Sequence, residues 1–411
     1  MDKQTSVTCS RKEALPALIA TVAGACILYA VMTAAAPLVA NNTVITDFGT
    51  MLVGCMQGVI PEQVHWFFAD MSETTFLASA PASIGLVVGA LIAAHLEVKG
   101  SRMAGTGVDG NGAIYGRLTI ASLASVALGI VFFGHVWPGF TGWIPTFAVL
   151  LVVQPLIIQF GATPAKLVTC IVLSTFTAFP VAYWLQLNVA TPLGVPLFVA
   201  VSMAVVVVTS ILTAVCNVLP WMKPEPAPEA ADDAGEAQPP AEPAEEPSVM
   251  SFFINRVLGD IGELAVTGSS ISTLGMYIGA IVAWFMNPLE PAYGAGNLPL
   301  LIASQIIVAA LAIFIYYPDW KSQPFVFSFP GIVFVSAIVG GYCATGTATD
   351  FIIAIPTIII GAIIFVPIIN FIMKTAKFQG KYPAIILIQC GIFPAVILWA
   401  LLLNNVIVPL L

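Results

Sequence analysis

Charge is scarce in this chain. Of 411 residues, 8% are charged and 59% hydrophobic, whereas a soluble globular domain carries about 25% charged residues. A water-soluble core cannot hide that much apolar surface and leave so few charges for its exterior, so a soluble enzyme or binding domain is excluded as the body of the chain. Lys and Arg never cluster with interleaved aromatics, which excludes a nucleic-acid interface. The chain has no G-x-x-x-x-G-K-[ST] to cradle ATP phosphates, no H-E-x-x-H to hold zinc and no G-x-S-x-G nucleophile turn. Its histidines (His65, His95, His135) are dispersed. The cysteines (Cys9, Cys26, Cys55, Cys170, Cys216, Cys343, Cys390) contain no C-x-x-C pair. Most fall in apolar runs and read as small buried hydrophobes, without a disulfide framework or a metal site. No cofactor is expected beyond H+ or Na+ as a coupling ion.

Long apolar runs are what the chain has in excess. A bilayer-spanning helix needs about 20 mostly apolar residues. Runs of that order occupy 15–40, 74–96, 114–134, 142–160, 167–188, 195–219, 264–286, 298–316, 325–343, 351–373 and 383–409. The expectation is an all-α polytopic membrane protein with about eleven transmembrane helices. The run 49–60 is too short to cross and is expected at the interface or re-entering the membrane. The first run is too long for the core of a secretory signal, which spans about 7–15 residues, so it reads as an uncleaved helix.

Orientation follows from the basic residues, which concentrate on the cytoplasmic side of a membrane. With the N-terminus inside and eleven crossings, Lys3, Arg11, Lys12, Lys99, Arg102, Arg117, Lys166, Lys223, Arg256, Lys321, Lys374, Lys377 and Lys381 all fall on one face. The C-terminus is then outside, and the inner (cytoplasmic) membrane of a cell is the expected location. The net charge of -8 has a local origin. Eight of the 21 acids (Glu225, Glu229, Asp232, Asp233, Glu236, Glu242, Glu245, Glu246) lie in a Pro-, Ala- and Glu-rich stretch, leaving 13 against 13 Lys plus Arg. That segment, 221–250, has no apolar periodicity with which to offset its ordering entropy, and reads as a disordered cytoplasmic linker.

The linker separates two related halves. Aligning Asp70-Met71-Ser72-Glu73 with Asp260-Ile261-Gly262-Glu263, without gaps to Ala93 and Ala283, matches Asp70, Glu73, Ser79, Gly85, Gly89, Ala90 and Ala93 to identical residues. Further on, Ile120-Ala121-Ser122 matches Ile302-Ala303-Ser304, and Pro180, Pro196 and Asn217 match Pro367, Pro383 and Asn404. Residues 1–62 then form an N-terminal helix and connecting segment, 63–220 a first membrane repeat and 251–411 a second. Each repeat holds five helices. An odd number makes the second enter the membrane from the opposite side, giving an inverted-topology repeat of the kind that recurs in secondary transporters.

The duplicated D-x-x-E is the most informative chemistry. Asp70 with Glu73, and Asp260 with Glu263, share a helix face if helical. Two readings compete: capping of the following helix, where acids are favoured, and cation or proton handling at membrane depth. Small hydroxyl residues follow each motif: Ser79 and Ser83 in the first half, Ser269, Ser272 and Thr273 in the second. These would suit a broken helix lining a polar cavity, or ordinary interhelical hydrogen bonds. Gly85-x-x-x-Gly89 and Gly275-x-x-x-Gly279 are packing motifs. Lys166 and Asp350, in small polar loops at near-equivalent positions, are candidates for a gate or coupling role. The run Gly105–Gly110 fits G-x-G-x-x-G but follows a membrane helix instead of a strand, so a dinucleotide site is excluded.

The expected function is secondary active transport of a small polar metabolite, coupled to protons or sodium, by alternating access between two inverted repeats. The alternatives are a membrane subunit of a larger complex, acting as scaffold or ion path, and a membrane-embedded enzyme. The expected partners are the small-molecule substrate and the lipid bilayer, with a homodimer left open.

Overall fold

A computed structural model describes residues 11–108, 112–135, 144–223, 247–265, 267–322, 326–344, 346–375 and 383–411. The linker residues 224–246, the basic residues Lys3, Lys377 and Lys381, and Asp109 and Gly110 of the glycine run lie outside these. Among the described residues the chain is helical, with no strand.

The first half begins with α1 (Arg11–Val39), α2 (Phe48–Met56) and α3 (Ile60–Glu73). It continues with α4 (Ala80–Val98), α5 (Gly112–Phe133), and α6 (Leu150–Phe160) behind a tight turn at Thr146–Val149. Then come α7 (Pro164–Leu185), running through a widened turn into α8 (Thr191–Leu193), and α9 (Phe198–Val218). The second half comprises α10 (Val249–Gly262), α11 (Ser270–Met286), α12 (Leu298–Ile315), α13 (Tyr317–Ser322), α14 (Phe329–Tyr342), α15 (Ala348–Thr375) and α16 (Ala384–Leu402). Prolines open α3, α4, α7, α12 and α14, where the missing N–H costs nothing.

Among the described residues, eight helices are long and apolar enough to cross a bilayer: α1, α4, α5, α7 with α8, α9, α12, α15, and α16 with its extension to Leu410. The pair α10 and α11 also passes, bent by 74° at its break. This is the architecture of a multi-pass membrane protein. Large apolar side chains stand exposed along it, among them Ile19, Val31, Ile84, Val88, Ile278 and Leu398. A surface of that kind suits hydrocarbon as its solvent. The runs 142–160 and 325–343 correspond to shorter apolar helices, Thr146–Phe160 and Phe329–Tyr342. They are the most enclosed elements: every residue from Leu150 to Ile157 and from Phe329 to Val339 is buried. Their backbone polarity is therefore shielded by protein on all sides.

Helix pairs recur between the halves. In the first, α3 packs on α4, α5 on α6 and α7, α6 on α7, and α7 on α9. In the second, α10 packs on α11, α12 on α14 and α15, α14 on α15, and α15 on α16. The halves meet where α4 packs on α11 and α9 on α16. Helix α1 lies outside this pattern, against α10 and α12.

The α4–α11 contact is set by glycine. A Cβ on Gly85 would stand 2.1 Å from the Gly275 carbonyl oxygen, and one on Gly275 2.4 Å from that of Gly85. Gly89 lies against Ile271 and Ser272, while Gly279 lies against Pro81 and Ala82. Each helix therefore offers its start to the partner's middle: the two are antiparallel, and the contact is self-complementary. Only bare backbone permits so close an approach.

Candidate functional site

The antiparallel crossing puts the starts of α4 and α11 at opposite ends of the pair. Ahead of each start the chain is broken. Helix α3 stops at Glu73 and α4 resumes at Ala80. Between them Phe76 (φ 65°) and Ala78 (φ 46°) turn left-handed, a conformation non-glycine residues rarely adopt and that marks functional or over-determined backbone. In the second half α10 stops at Gly262 and α11 resumes at Ser270, with Gly268 (φ 52°) making the equivalent turn.

Hydroxyl side chains in and around these breaks hold them closed. Ser72 Oγ donates to the Ser79 carbonyl and accepts from its N–H, both at 3.0 Å. Ser83 Oγ lies 2.9 Å from Ser72 Oγ and donates to the Ala69 carbonyl at 3.2 Å. Across the other break Ser272 Oγ reaches Thr267 Oγ1 at 2.8 Å, Thr273 Oγ1 donates to the Leu258 carbonyl at 2.6 Å, and Ser269 caps α11. Each break is then sealed by a loop of the other half. Glu290 Oε1 accepts the Ala80 N–H at 3.0 Å, and Thr106 Oγ1 accepts the Ser270 N–H at 3.0 Å. Ala80 and Ser270 are equivalent positions in the sequence alignment. Glu290, itself fully buried, also lies 3.1 Å from His65 Nε2, and the Ala292 N–H donates to the Leu77 carbonyl at 2.7 Å.

The acids sit at the other lip of each break. Asp70 and Glu73 occupy the last turn of α3, Asp260 the last turn of α10, and Glu263 follows it. All four are buried. The N-termini of α4 and α11 are served by Glu290, Ser269 and Thr106. Carboxylates at a helix C-terminus also face the unfavourable end of the dipole. What meets them is the start of each enclosed short helix. Thr146, at the entrance to α6, faces Asp70, and Ser328, the residue before α14, donates to Asp260. Thr146 and Ser328 are 182 positions apart, as are Gln154 and Ser336 further along the same helices. Gln154 Nε2 donates to Ser122 Oγ and Gln305 Nε2 to Ser336 Oγ, both at 3.0 Å. The hydroxyl entrances were not legible as site residues, because one hydroxyl before an apolar run is ordinary.

The clusters differ in charge. Arg256 Nη2 lies 3.0 Å from Asp260 Oδ1 and 3.5 Å from Glu263 Oε1, with its guanidinium stacked 4.0 Å over Trp320. The residue equivalent to Arg256 is Trp66, whose Nε1 donates to Thr146 at 2.6 Å. Among the described residues no Lys, Arg or His pairs with Asp70, and the side chains that approach its carboxylate are those of Glu73 and Thr146. Tyr293, in the loop that seals this break, is raised well above the ordinary phenol value by burial and then by the charges of Glu73 and Asp70. It stays a neutral hydroxyl beside the acids.

A cavity of about 250 Å³ adjoins this break, lined by Phe48, Phe76, Phe198, Tyr293 and the Gly340–Gly341 pair among others. Lys166 and Asp350 join neither cluster. Lys166 lies in the first turn of α7, against Gly161 at the far end of α6 from Thr146. Asp350 lies in the first turn of α15 and accepts the Gly346 N–H at 2.8 Å. No group of three or more His, Cys, Asp or Glu suited to a metal exists among the described residues. Compared with family models, curated proteins and solved structures, the chain matches none.

Proposed function

We propose that this chain is a secondary active transporter of a small polar metabolite, coupled to protons or sodium. Two inverted halves, 63–220 and 251–411, alternate access across eleven crossings, with α1 as an added helix, the N-terminus in the cytoplasm and the C-terminus outside. The observation that carries the reading is the pair of acid-bearing helix breaks at opposite ends of the antiparallel α4–α11 pair, each sealed by a loop of the other half. Discontinuous helices between inverted repeats are where transporters place substrate and coupling ions. Buried ionisable groups inside a membrane body are costly and mark pathways. Because each seal crosses from one half to the other, movement of the halves against each other would alter both breaks. The recurrent helix pairs and the shared Thr146 and Ser328 entrances support the repeat.

The test is reconstitution into liposomes with an imposed pH or sodium gradient. Pools of small amino acids, carboxylates, sugars and polyols are supplied outside, and internal pH or sodium is followed by fluorescence. At least one pool should drive a flux that empty liposomes lack. Well-folded protein that moves no pool under either gradient would overturn the transporter reading.

A further inference from the structure

The two clusters have the same acids on equivalent helices, and one carries a built-in cation while the other does not. In the second, the Arg256 guanidinium lies between Asp260 and Glu263, and Ser328 donates to the remaining Asp260 oxygen. Buried carboxylates of that kind are tolerated because a positive charge and hydrogen bonds replace lost water. In the first, Trp66 stands where Arg256 would, and it spends its N–H on Thr146. Asp70 is fully buried with, among the described residues, no cation beside it; only the Glu73 and Thr146 side chains reach toward its carboxylate, and the equally buried Ser79 hydroxyl in the same break has no partner. Among the described residues, the titratable groups that interact with Asp70 are acidic or neutral: Glu73 on its own helix, Cys55 on α2 and Tyr293 in the sealing loop. His65, on the same helix, lies 3.1 Å from Glu290.

We propose that the Asp70 cluster binds one positive charge, a proton or a sodium ion, in the place that the Arg256 guanidinium fills in the second cluster. The halves then divide their work: one break is permanently neutralised and the other is loaded and emptied. Loading and emptying of the site during transport rest on the transporter reading; binding of the charge itself does not. Thr146 and Ser79 supply hydroxyl oxygens to a sodium ion, while a proton needs only the Asp70 and Glu73 oxygens.

The experiment is thermal unfolding of the purified full chain in detergent, without substrate, with NaCl against choline chloride at constant ionic strength and across pH 5.5–8.5. A sodium site predicts an unfolding temperature raised by about 5 °C in saturating NaCl at high pH; a proton site predicts a comparable rise on lowering pH, indifferent to sodium. Asp70→Asn should abolish the response, and Trp66→Arg, which transplants the guanidinium, should abolish it as well. Asp260→Asn should keep it. A wild type that responds to neither ion, or an Asp70→Asn variant that responds as the wild type does, would overturn the proposal. If Asp70→Asn fails to fold, sodium-22 binding and dye-reported proton release by the wild type decide the same question. Protein that binds the ion but transports nothing keeps this site and loses the transporter reading.

Discussion

Asp70 and Asp260 are the same residue at equivalent points, and what separates them is one neighbour, Trp66 against Arg256. Removing a partner from a buried ion pair leaves an uncompensated charge and costs about 3–5 kcal/mol. Arg256→Gln is therefore expected to lower the unfolding temperature strongly, and adding Asp260→Asn should recover part of the loss. A single variant as stable as wild type would remove Arg256 from the charge balance of this cluster. Glu290 makes a second test. Its carboxylate serves both His65 and the α4 start. Glu290→Gln should cost about 1.5–3 kcal/mol, the range for hydrogen bonds to charged groups, read by denaturant or thermal unfolding. The D-x-x-E pairs were legible from duplication alone. Their depth was not, because an acid before an apolar run looks the same whether it caps a helix or is buried at the end of the preceding one. Trp66, Thr146, Glu290 and Ser328 carried no local signal: each matters through a partner at least 68 positions away.

Among the helices, the long apolar runs were read within a few residues, since length and hydropathy are strong and local. The starts of α4 and α11 were not. The runs 74–96 and 264–286 continue smoothly through residues that the structure places in the breaks, and Phe76 and Ala78 give no warning of left-handed backbone. Tertiary seals impose that turn. The G-x-x-x-G motifs were read correctly as packing, and they support a graded test. Gly85→Val inserts atoms into the Gly275 backbone and should cost upward of about 3 kcal/mol, the top of the usual overpacking range. Gly129→Ala meets nothing within 4 Å and should stabilise α5 by about 0.5–1 kcal/mol. Equal effects of the two would contradict the crossing. At the α2 start, Asp47 accepts the Thr50 N–H at 2.9 Å. Partial burial pushes its carboxyl up, but hydrogen bonds from Thr50 and nearby amides outweigh that and hold it below its ordinary value. A depressed carboxyl contributes stability above its unfolded value and loses it as pH falls through the folded one. Asp47→Ala should thus cost about 1 kcal/mol at neutral pH, with the deficit shrinking under strong acid.

Across the entire chain, composition alone identified the bilayer as solvent, and the one-sided basic residues suggested how the chain threads it. The two enclosed helices are the part that hydropathy describes least well. They read as spans like any other, yet α14 has only 14 residues, and its burial comes from packing that no local pattern reports. Opposed orientation of the halves underlies the alternating-access reading, and Lys99 and Leu289 report on it most directly. They are equivalent positions, just beyond α4 and α11, and both are exposed. In a cysteine-free background, Lys99→Cys and Leu289→Cys are treated with a membrane-impermeant maleimide in right-side-out and inside-out vesicles. Inverted halves require Leu289→Cys to react only from outside and Lys99→Cys only from the cytoplasmic face. Reaction of both from the same face would contradict the inverted arrangement and the transport cycle built on it.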